Sequence, residues 1–159
     1  MRKRFEQQLS FGQIPIEETT INPKSKNAVD ELLAALKELF CNKEYNEKIF
    51  NALEGCLKKD KKKTGRNGMD LWIIFVLAQL RLCLNISYEM LHNLANNHRT
   101  LRQLMGIERI FGYEPIEYKY QQIYDNVSML SDDSVKKIND IAVEFGHQVF
   151  KKKENTALR

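Results

Sequence analysis

The sequence has few of the residues that interrupt regular structure. Seven glycines and three prolines in 159 residues favour long elements over many turns. No stretch alternates apolar and polar residues as a half-buried strand does. The three cysteines, Cys41, Cys56 and Cys83, are odd in number, widely spaced and set among apolar neighbours. That pattern argues against a disulfide scaffold and predicts reduced core thiols in a reducing compartment. The opening MRKRFEQQLSFG is basic but has no apolar segment behind it, so it is not a secretory signal. The most apolar run, residues 69–84, falls short of the roughly 20 residues a membrane span needs and contains Gln79 and Arg81. A cytoplasmic chain with no membrane partner is expected.

Assembled catalytic chemistry is also lacking. His92, His98 and His147 have no cysteine at a zinc spacing, and the first two are six apart, which puts them on different helix faces. The stretch KKKTGRNG has lysine and glycine but not in the order of a phosphate-binding loop. The pair Asp132 and Asp133 is accounted for by a helix start, where the dipole favours negative charge. No metal or cofactor is expected, and the chain reads as a binding module rather than an enzyme.

What is present is charge, unevenly placed. The net charge is +4. Residues 1–57 carry 8 basic and 9 acidic groups, and residues 69–159 carry 11 of each. The excess therefore sits in KKDKKKTGRNG, residues 58–68, where Lys58, Lys59, Lys61, Lys62, Lys63 and Arg66 stand against Asp60 alone. A focused positive patch attracts an anionic polymer even when the mean charge is small. The plainer alternative is a solvated linker. If the cluster holds a phosphate backbone, it positions a protein on a duplex without reading sequence.

Periodicity predicts an all-α multi-helix bundle of about seven helices, with an extended N-terminal arm over 1–26, a helical domain over 27–150 and a polar, frayed tail over 151–159. Asn27, with Asp30 three residues on, is expected to cap the first helix, and Asn42 the second, the two forming a hairpin. Residues 69–84, apolar on nearly every face, read as the central helix. Ser87 and Ser131 read as further caps, with Glu89 and the Asp132–Asp133 pair in the first turns. Pro115 is expected to open a helix with Ile116, Tyr120, Ile123, Val127 and Leu130 as its inner stripe.

Opposite that stripe stand Lys119, Gln122 and Asn126, which are candidate base readers. Gln and Asn can each pair bidentately with adenine, and Lys can reach guanine or phosphate. Tyr118 and Tyr124 are placed to pack on sugar or phosphate. The helices over 87–96 and 100–105 would brace this one as in a helix-turn-helix variant. Arg99 and Arg102, read as exposed helix residues, would add backbone contacts. The competing interpretation of the polar face is an ordinary solvent face.

The block KKTGRNGMDLWIIFVLAQLRLCLNISYEMLHNLANNHRTLRQLMG resembles the N-terminal domain of bacterial insertion-sequence transposases of the DDE class. The stretches RKRFEQQLSFGQIPI, INPKS and YKYQQIYDNVSMLSDDSVKKINDIAVEFGHQVFKKKE are similar as well, so the likeness covers nearly the whole chain. It departs at Asn67, where proline is expected, and at YKYQQIYDN, which replaces small hydroxyl residues. The resemblance implies an all-helical domain that binds the element's terminal inverted repeats as double-stranded DNA. It also implies that a catalytic domain with two metal ions begins beyond Arg159. No residue here matches that triad, so the chain is expected to be a truncated transposase without strand-transfer chemistry. The rival expectations are a helical fragment that pairs with and inhibits full-length transposase through 27–58 and 131–150, and a decayed remnant.

Overall fold

A computed structural model describes residues 2–5, 13–57, 68–109 and 114–158. Among them the regular structure is helical throughout. A 3-10 turn at Ile16–Glu18 is followed by α1 (Ala28–Cys41), α2 (Lys43–Leu57), α3 (Leu71–Leu84), α4 (Tyr88–Asn97), α5 (Arg99–Leu104), α6 (Tyr120–Val127) and α7 (Asp132–Ala157).

The centre is α3. All ten residues from Leu71 to Leu80 are buried, as an all-round apolar helix requires. Trp72 packs its ring against Phe40 and Phe75 and donates its indole N–H to the Leu104 carbonyl at 2.8 Å. That bond satisfies a buried donor and ties the central helix to the end of α5. α3 packs against α1, α2, α4 and α6. It ends at Asn85, whose left-handed backbone (φ 49°) is a conformation asparagine tolerates.

Side-chain caps set the other starts. The Asn27 and Asn42 amide oxygens accept from the Val29 and Tyr45 N–H groups at 3.0 and 3.2 Å. The Ser87 and Ser131 hydroxyls accept from Met90 and Ser134. Each answers one of the donors a helix start leaves unpaired. Asp30 completes no box with Asn27; it accepts from the Ser25 hydroxyl at 2.6 Å instead. α1 and α2 pack together, and α2 lies along α7, where the Tyr45 and Phe145 rings meet at 5.1 Å.

The arm does structural work. The Lys3 and Arg4 carbonyls accept the N–H groups of Leu71 and Trp72, both at 3.0 Å. Asp70 makes no side-chain cap bond there, so arm backbone supplies the acceptors at the start of α3. The Arg4 guanidinium bonds Glu54, Glu47 and Asn51 along α2, and Phe5 meets Phe40 edge-on.

Three expectations need correction. Pro115 does not open α6, which starts at Tyr120. Residues 116–118 are held instead by side chains of α4 and α5: Arg102 donates to the Ile116 carbonyl, and Asn96 bonds both the N–H and the carbonyl of Tyr118. Those tertiary bonds take the backbone groups a helix would have used. The tail belongs to a helix, because α7 continues to Ala157. Two of the cysteines are not core: Cys41 and Cys83 are exposed, whereas Cys56 is half-buried and packs on the core.

Candidate nucleic-acid interface

The six cations Lys58, Lys59, Lys61, Lys62, Lys63 and Arg66 lie outside the described residues. Both flanks of their segment are described. Leu57 closes α2 and packs on the core, and Gly68 leads into α3. The Gly68 backbone is approached so closely by the Arg2 guanidinium that a β-carbon would collide with it. A side chain there would have to displace the Arg2 guanidinium.

Arg2 links this flank to α6. Its guanidinium donates to the Met69 carbonyl at 3.2 Å, to the Asn126 amide oxygen, and lies 3.1 Å from the Met129 sulfur. The end of the basic segment and the helix carrying the candidate base readers therefore meet at one guanidinium.

The readers differ in how free they are. Lys119 is exposed at the N-cap of α6. Gln122 is exposed, but its side-chain oxygen accepts the Lys119 N–H at 2.8 Å, which is the return half of a capping box. Asn126 is half-buried. Its oxygen holds Arg2 and its Nδ2 donates to the Gln122 carbonyl at 2.6 Å. A bidentate adenine contact by Asn126 would have to share both amide atoms with these bonds.

Arg99 is exposed on α5. Arg102 is not the exposed residue expected; it is 5% exposed. Its guanidinium donates to Glu108 at 2.8 Å, to the Ala95 carbonyl at 3.1 Å and to the Ile116 carbonyl at 2.8 Å. Such a buried, paired cation ties α4, α5 and the segment before α6 together.

An aromatic surface flanks the readers. The Tyr120 and Tyr124 rings stack at 6.3 Å, with 18° between their planes. Both are exposed, which takes Tyr120 out of the inner stripe. Tyr88 meets Tyr124 edge-on at 4.8 Å, and the Arg81 guanidinium sits 4.3 Å from the Tyr88 ring centre. Tyr120 also approaches Glu89 through its hydroxyl. Glu89 is held below the usual carboxylate range by its own backbone N–H and by the Ser87 hydroxyl. Sequence reading missed Tyr88, Tyr120 and Arg81 here; the four-residue spacing of Tyr120 and Tyr124 was the available signal. Tyr118 points the other way. It packs on the core, and burial pushes its phenol up to about 12.

The histidines are structural or exposed. His92 pairs with the Tyr118 carbonyl, the His98 ring accepts the Leu101 N–H as the cap of α5, and His147 is exposed. Among the described residues no group of His, Cys, Asp or Glu is arranged to hold a metal ion, and no helix is long and apolar enough to cross a membrane. Partial desolvation pushes the Cys41 and Cys83 thiols up, away from the reactive thiolate. The chain matches no family model, no curated protein and no solved structure.

Proposed function

We propose that this chain is the DNA-binding part of an insertion-sequence transposase, acting in the cytoplasm on the double-stranded ends of the mobile element. In this reading Lys58, Lys59, Lys61, Lys62, Lys63 and Arg66 grip phosphates. Lys119 at the N-cap of α6, Gln122 on that helix and Arg99 on α5 supply further contacts. The chain itself contributes binding and no strand-transfer chemistry, and needs no cofactor for that.

The observation that supports it is the convergence at Arg2. The segment that holds the chain's whole excess charge ends at Gly68, and Arg2 joins Gly68–Met69 to α6. A basic segment whose end at Gly68 is joined through Arg2 to a helix with exposed Gln and Tyr side chains suits the division of work in duplex readers, backbone contacts for position and side chains for sequence. A helix-turn-helix role for α4, α5 and α6 follows the same reading, since α4 packs on both of the others.

The test is binding to duplexes carrying the element's ends and to scrambled duplexes, at about 50 and about 200 mM salt. Tighter binding to the ends at both concentrations supports the proposal. Equal affinity for both duplexes reduces it to non-specific phosphate binding.

A further inference from the structure

We infer that α7 pairs antiparallel with α7 of a second copy of this chain, with Phe150 of each seated over Gly146 of the other. This stands apart from the DNA-binding proposal and uses none of its residues.

α7 is longer than anything that supports it. At 26 residues it spans about 39 Å, whereas α2, its main packing partner, has 15 residues and spans about 22 Å. Its inner face is covered through Ile138 and Phe145, but every residue from Lys151 to Leu158 is exposed. Short helices without tertiary contacts are marginal in water.

The uncovered face is patterned. Asn139, Val143, Gly146, Phe150, Lys153 and Ala157 are spaced alternately by four and three, which places them on one seam. Val143 is 47% exposed and Phe150 65%. Between them, a β-carbon on Gly146 would meet nothing within 4 Å. A mid-helix glycine is disfavoured relative to alanine, and here it leaves a notch one turn from an exposed ring. Turning a second helix antiparallel about the point midway between Gly146 and Phe150 sets each ring into the other's notch. The same register lays Val143 against the aliphatic stem of Lys153.

Charge chooses the occupant and its direction. Residues 132–144 carry four acidic and two basic groups, and residues 145–158 carry three basic and one acidic. With 146 opposite 150, an antiparallel copy lays residues 138–144, with Asp140 and Glu144 (−2), over residues 152–158, with Lys152, Lys153 and Glu154 (+1), at both ends, whereas a parallel copy places like over like. The self-complementary arrangement is that of a two-fold interface.

The test is sedimentation equilibrium without DNA, from low micromolar to near-millimolar protein. The wild-type mass should rise from one chain toward two. Phe150→Ser and Gly146→Leu should remain monomeric with their helix content kept, the unfolding midpoint unchanged for Phe150→Ser and no lower for Gly146→Leu, since leucine favours a helix over glycine. Phe150→Ser should raise the dissociation constant by about a hundredfold or more, because each dimer loses two buried rings. In a chain whose three native cysteines are serine, mixing Gly146→Cys with Phe150→Cys should give a covalent dimer faster than either variant alone. A wild-type mass of one chain at every concentration overturns the inference. So does a Phe150→Ser chain that dimerises as tightly as wild type, or a mixture that cross-links no faster than its components.

Discussion

Arg2 and Asn126 stand 124 positions apart in sequence and share a hydrogen bond. Through it the start of the arm, the approach to α3 and the helix α6 become one unit. Asn126→Ala should therefore lower stability by about 1–2 kcal/mol, the usual cost of leaving a partly buried charged donor without its acceptor. Urea unfolding checks this. If Asn126 instead serves mainly to read a base, its loss would leave stability unchanged and abolish discrimination between duplexes.

Arg102→Met should cost about 3–5 kcal/mol, because the Glu108 carboxylate and the carbonyls of Ala95 and Ile116 lose their donor in a buried setting. Thermal or urea unfolding measures it. A variant as stable as wild type but weaker on DNA would restore Arg102 to the surface role its position on a short helix first suggested.

Gly106 ends α5 with a left-handed backbone at φ 73°. Its own N–H bonds the Gln103 carbonyl and the next N–H, of Ile107, reaches back to Arg102. This is the Schellman pairing, in which glycine avoids the penalty a side chain carries. A β-carbon there would also strike the Phe5 ring at 2.7 Å. Gly106→Ala should lose about 1–3 kcal/mol, whereas alanine at Gly55, inside α2 with nothing near its β-carbon, should gain stability, when both are compared by urea unfolding.

Tyr118 should give the fold an alkaline sensitivity. Its phenol is pushed up to about 12 by burial, with the Asp70 carboxylate adding to the rise, from an ordinary value of 10.0. Between those values the unfolded tyrosine has lost its proton while the folded one keeps it. Stability from this group is therefore complete below about pH 10 and falls as pH rises toward 12, by roughly 3 kcal/mol in all. An ultraviolet titration should show late tyrosinates, since burial also pushes the Tyr45 and Tyr120 phenols up, and Tyr118→Phe should remove one of them and reduce the loss of stability over that range.

Local chemistry was legible and tertiary chemistry was not. The apolar run of α3 and the caps at Asn27, Asn42, Ser87 and Ser131 could be read because their cause lies within a few residues. Arg102 could not, because its partners at 95, 108 and 116 come together only in the fold. The late start of α6 has the same origin, since side chains of α4 and α5 claim the backbone of 116–118. At the site, the exposed places of Lys119 and Gln122 agreed with their spacing, whereas the internal bonds of Asn126 depend on an arm residue that no helical period could reveal.

The central claim is that the cations of residues 58–66 meet a nucleic acid backbone, and the salt dependence of duplex binding tests it most directly. If about five phosphates are neutralised, the logarithm of affinity should fall against the logarithm of salt with a slope of about −4.5. Replacing Lys58, Lys59, Lys61, Lys62, Lys63 and Arg66 with serine should flatten that slope toward zero and weaken binding to every duplex alike. An unchanged slope and affinity after those replacements would contradict the account.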